Sequence, residues 1–76
     1  VKLTRLELDL LRYFIEHPGK VISRQLLLED VWKLRNYSTA RTVDNFVSRL
    51  RRYLEQDPQN PVHILSVRGA GYKFVP

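Results

Sequence analysis

The sequence predicts an α+β domain in which three helices precede a C-terminal β-hairpin. Three observations carry this. Helix-type apolar spacing recurs in three segments up to Gln56, each entered through a threonine or serine at a capping position. The cluster QDPQNP at 56–61 ends the helical patterning. Beyond it, two short runs rich in β-branched and aromatic residues flank RGAG.

The first helix begins at Thr4. TRLE is a capping box, with Thr4 as N-cap and Glu7 reaching back, and Leu3 and Leu8 stand at hydrophobic-staple positions. Arg5, Asp9, Arg12 and Glu16 form a solvated charged stripe. Leu6, Leu10, Leu11, Phe14 and Ile15 are the expected core face. HPGK at 17–20 stops the helix. Ser23 caps a second helix that runs to about Trp32, with Ile22 and Leu27 as its staple and Leu27, Leu28 and Val31 turned inward. Trp32 reads as core rather than as a stacking platform. KLRNYSTA, from Lys33, loses the apolar period and reads as a loop that ends on Thr39, the cap of the third helix.

The third helix, 40–56, is the longest. Val43, Val47, Leu50 and Leu54 form its buried face, widened by Phe46 and Tyr53. Arg41, Asn45, Ser48 and Arg52 lie opposite, with Arg49 at the edge. Arg51 turns toward Asp44 and Glu55, which leaves two readings open, an ion pair within the helix or a DNA contact. In the tail, strands at 64–67 and 72–75 are joined by RGAG, where glycine supplies the positive φ of a tight turn. Tyr72 and Phe74 alternate with Lys73, so one face packs and the other is wet.

The 76 residues bound the chain to one domain, 1–76, with a small core. A start at Val1 rather than methionine reads as a fragment of a longer chain. The absence of cysteine removes disulfides and thiolate metal sites, and fits a reducing, cytoplasmic setting. No apolar run approaches the roughly 20 residues of a membrane helix. Charge is unevenly placed. Residues 1–32 carry five bases and five acids, so the whole net charge of +5 belongs to residues 33–76. A one-sided basic field suits a polyanion.

Catalytic and cofactor readings find no constellation. GAGYKF lacks the third glycine and the following helix of a dinucleotide loop. His17 and His63 have no ligand cluster near them in sequence. Glu29 and Asp30 are adjacent and point apart on a helix. The expectation is a non-enzyme without cofactor or metal. Three helices and a hairpin with a cationic third helix form a winged helix-turn-helix, whose helix fits the B-DNA major groove. The alternative is a winged helix used only for protein interaction, which favours an apolar or acidic third-helix face over the cationic one present.

The segments LTRLELDLLRYFIEHPGKVISRQLLLEDVW, RTVDNFVSRLRRYLE and ILSVRGAGYKFVP resemble the OmpR/PhoB-type winged-helix DNA-binding domain, the output half of bacterial two-component response regulators. The resemblance runs from Leu3 to Pro76. It implies a recognition helix at 40–56 in the major groove and a wing at 64–75 on the adjacent minor groove. Its DNA-contacting positions fall on Arg41, Thr42, Asn45, Ser48, Arg49 and Arg52, and in the wing on Ser66, Arg68 and Tyr72, with Lys73 beside them. It further implies tandem dimers on promoter direct repeats, from a fragment that is monomeric in isolation. In activators of the family, the loop from Lys33 through Arg35, Asn36 and Tyr37 is implied to face RNA polymerase. A phosphorylatable receiver domain belongs to the full-length relatives, and cytoplasmic residence on the nucleoid goes with them. Asn45 departs from the small apolar residue many relatives carry there, and Ala40 from their polar cap.

Overall fold

A computed structural model of the chain describes residues 2–33 and 38–76. The order is α1 (Arg5–Glu16), β1 (Val21–Ile22), α2 (Arg24–Asp30), α3 (Ala40–Leu54), β2 (Ile64–Val67) and β3 (Gly71–Phe74). The strands form one antiparallel sheet in the order β1-β3-β2. Together these elements make a winged helix-turn-helix, as the sequence predicts.

α1 starts where its capping box requires. Thr4 Oγ1 accepts the Glu7 N–H at 3.2 Å, and the Thr4 N–H donates to Glu7 Oε1 at 2.8 Å. Two otherwise orphan donors of the first turn are thereby satisfied, which lets Glu7 be buried. Leu10 and Phe14 continue the same stripe into the core, flanked by the partly buried Leu6 and Leu11. Leu8 and Ile15 do not follow the expectation: at 42% and 54% exposure they stand off the stripe set by Glu7, Leu10 and Phe14. Leu3 packs against the core, but the expected staple partner Leu8 faces outward.

The turn after α1 does more than stop it. Gly19, at φ +76°, places its N–H on the Phe74 carbonyl at 2.8 Å and delivers the chain into β1. This strand, absent from the sequence reading, pairs Val21 with Lys73 and Ile22 with Tyr72. Ser23 Oγ then accepts the Leu26 N–H at 3.0 Å to cap α2. α2 ends at Asp30, and the buried Val31 and Trp32 follow it. Trp32 meets Phe46 edge-on at 5.2 Å, in keeping with its reading as core.

α3 runs through the centre with Val43, Val47 and Leu50 fully buried. At its start the Thr39 N–H donates to Thr42 Oγ1 at 3.3 Å. It stops at Leu54, two residues short of the expected Gln56, because Glu55 turns extended (ψ 138°) to serve the next segment. Tyr53 remains 46% exposed rather than widening the core face. In the hairpin, the Ala70 N–H closes a four-residue turn on the Val67 carbonyl at 2.9 Å, with Gly69 at φ +76° in its third position. Gly71 is present for a different reason. A Cβ there would lie 2.1 Å from the Ile22 carbonyl oxygen, so β1 and β3 meet this closely only over glycine. Among the described residues no helix is long and apolar enough to cross a membrane.

Candidate nucleic-acid interface

The surface of interest begins with the outer face of α3. Arg41, Asn45, Ser48, Arg49 and Arg52 are all exposed, while Thr42, engaged at the cap, is half-buried. Among the described residues the side chains of Arg41, Asn45 and Arg52 make no hydrogen bond or ion pair. Their polar ends face water while Val43, Val47 and Leu50 fix the opposite side of the helix. The Arg49 guanidinium lies 4.7 Å from the centre of the Phe46 ring, an apolar rest that leaves its donors free. Beside this face projects the hairpin, with Arg68, Gly69 and Ala70 exposed at its tip. Ser66 is exposed on β2, and Lys73 is half-buried in the central strand.

Two residues take roles that the sequence reading did not give them. Tyr72 was expected at the interface, yet it is only 4% exposed and donates its hydroxyl to Asp44 at 2.5 Å. Tyr72 shares the packed face of β3 with Phe74, while Lys73 between them points the other way. Burial and the bond to Asp44 both push the phenol's pKa up. Arg51 was expected either to pair along its own helix or to contact DNA. Instead its Nε and Nη2 converge on the Ile64 carbonyl at 3.1 and 2.9 Å, and Nη2 also reaches Ser66 Oγ at 3.0 Å. A guanidinium fork suits one carbonyl approached by two donors, and this one fastens α3 to β2 of the hairpin.

Two carboxylates complete the frame. Asp44 accepts from Arg24 Nε at 2.7 Å as well as from Tyr72. Burial opposes its ionisation, but the bonds from Tyr72 and Arg24 outweigh that and hold its carboxyl below the ordinary range. Glu55 is buried at the end of α3. Its oxygens accept the N–H groups of Val62, His63 and Ile64 at 2.8–3.2 Å. Burial again opposes ionisation, and the three backbone donors win, lowering the Glu55 pKa. Neither acid was singled out from sequence as part of the frame. The visible signal for Asp44 was that it is the one acid of α3. For Glu55 it was an acid closing a helix just before an Asp-Pro turn.

The expected polymerase-facing loop lies mostly outside the described residues. Arg35, Asn36 and Tyr37 fall there, while Lys33 is exposed at φ 58°. A helix face with free cations and one amide, fastened through Arg51 to the strand that leads into a basic turn, defines a winged-helix module of transcription regulators. The chain belongs to that family: the model described as "Transcriptional regulatory protein, C terminal" matches residues 1–74. Among relatives, the DNA-binding response regulator MtrA of Mycobacterium tuberculosis (strain H37Rv) is 46% identical over 76 residues, covering 100% of this chain and 33% of MtrA. The DNA-binding domain of E. coli CadC superposes with a TM-score of 0.86 at 40% identity, covering 100% of this chain and 72% of that one. The Klebsiella pneumoniae RstA DNA-binding domain, in complex with the RstA box, gives 0.84 at 32% identity, covering 99% and 74%. The chain thus spans about a third of the length of the curated relatives it matches.

Proposed function

We propose that the chain binds double-stranded DNA sequence-specifically as the output domain of a response regulator. The observation that carries this is the outer face of α3, where Arg41, Asn45, Ser48, Arg49 and Arg52 present free polar groups beside the Arg68 turn. α3 enters the major groove with Asn45 and Arg49 toward base edges. Arg41, Arg52 and Arg68 neutralise phosphates, and the wing reaches the adjacent minor groove. Tyr72 acts from inside, holding the wing rather than touching DNA. In the full-length protein a receiver domain controls this module, which works as a tandem dimer on direct repeats. In an activator, residues 33–39 are its side toward RNA polymerase. What supports these finer roles is family membership together with the cationic face.

A salt titration of duplex binding tests the reading. Each phosphate contact contributes a slope of about −0.9 in log K against log salt. Several contacts therefore produce a steep fall in affinity between low and moderate salt. A flat response at every salt concentration overturns the proposal. Arg52 sits in the second half of α3, where a helix inserted by its N-terminal half meets backbone. Arg52→Ala should weaken all duplexes alike and lower the slope by about one. A variant with wild-type affinity but a new preferred site would show that Arg52 reads bases.

A further inference from the structure

The acid within α3 raises a question that the DNA reading sharpens. Asp44 is three residues after Arg41 and four before Ser48, so it borders the face that would meet phosphates. A free carboxylate there would repel the ligand. It is instead engaged twice, by Arg24 at 2.7 Å from the first residue of α2 and by the Tyr72 hydroxyl from β3. The Arg24 and Arg51 guanidiniums also lie over the Tyr72 ring, 5.4 and 5.7 Å from its centre. Arg51 in turn holds the Ile64 carbonyl and the Ser66 hydroxyl of β2. One carboxylate therefore sits where the helix-turn-helix and the wing meet.

We propose that Asp44 is a positioning residue for DNA binding: by holding Arg24 and Tyr72 together, it fixes the wing relative to α3 so that both engage one duplex as a unit. The inference rests on the DNA reading above. It predicts a sign opposite to that of charge alone. Asp44→Asn removes a negative charge beside a polyanion, so simple electrostatics expects tighter binding. Loss of positioning expects weaker binding, because an asparagine does not hold the guanidinium and the hydroxyl with a full charge.

The test is a double-mutant cycle on duplex affinity with Asp44→Asn and Arg68→Ala, run beside wild type at one salt concentration. Asp44→Asn should weaken binding about fivefold or more, and the Arg68→Ala penalty should shrink in its presence, since a misplaced wing has little left to lose. Tyr72→Phe keeps the buried ring and removes the hydroxyl, with its bond to Asp44 and its interaction with Arg24. It should shift affinity in the same direction, and it decides the matter if Asp44→Asn does not fold. Equal or tighter binding by the folded variants, or strictly additive penalties, overturns the role of Asp44. Absence of salt-sensitive binding by the wild type overturns the DNA reading itself, so the two failures are separable.

Discussion

Gly71→Ala is expected to bring the domain close to unfolding. The added methyl would sit 2.1 Å from the Ile22 carbonyl oxygen and 2.8 Å from Ser23 Cα, and both are backbone atoms. Neither can move without parting β1 from β3 or displacing the cap of α2. The backbone is also at φ +140°, which side chains other than glycine avoid. Steric and conformational terms together place the loss at about 4 kcal/mol or more. A domain of this size holds roughly 4–11 kcal/mol in total. Gly69→Ala is the matched control. Gly69 is also at positive φ, but a Cβ there meets nothing within 4 Å, so only the conformational cost of about 1–2 kcal/mol applies. Urea unfolding of the two variants checks the difference. If Gly71→Ala costs no more than Gly69→Ala, the close approach of the strands does not matter.

Glu55→Gln should be the second most damaging change. The carboxylate receives three successive backbone N–H groups where the chain returns from the 57–60 turn into β2. An amide has one acceptor oxygen and brings two donors into a site already full of donors. Bonds to a charged acceptor are the stronger kind, so a loss of about 2–3 kcal/mol is expected. At this size that lowers Tm by about 10–20 °C. The pH dependence has a definite sign. The Glu55 pKa is depressed in the fold, so its contribution is fully present above the ordinary glutamate range of about 4.3. It is lost as pH falls through the lower folded value. Glu55→Gln should therefore flatten the part of the acid unfolding curve below that range. Thermal melts from pH 7 to pH 2 measure it, and a wild-type-like acid limb in the variant would contradict the clamp.

What was legible in the sequence was local. The Thr4–Glu7 box and the Ser23 cap are formed by residues three apart, and both appear where expected. The buried face of α3 follows from spacing alone. β1 was invisible because a two-residue strand has no periodicity to detect; its existence depends on β3, about fifty residues later. The same limit hid the frame of the site. Asp44 and Tyr72 are 28 residues apart, and Arg51 and Ile64 are 13 apart. Helix-wheel reasoning offered Arg51 partners along its own helix or a DNA contact, yet the fold gave it a better-placed carbonyl on the wing. Tyr72 was placed at the interface by resemblance, while its alternation with Phe74, itself visible in the sequence, turns it onto the packed face. Outward-facing residues such as Asn45 and Arg52 needed no tertiary information, because the opposite side of their helix is apolar.

The central claim is that the outer face of α3 reads a DNA sequence, and Asn45 gives it its most direct test. Asparagine is a poor helix former, and at an exposed mid-helix position it does nothing for the fold. Its amide can meet adenine N6 and N7 together, a match worth about 1–3 kcal/mol of discrimination. Selection of bound duplexes from a random pool, run in parallel on the wild type and on Asn45→Val, measures this position by position. The account predicts a defined wild-type site containing one adenine that Asn45→Val relaxes or exchanges, with the other positions unchanged. Identical base preferences for the two proteins, or no enrichment by the wild type, would contradict it.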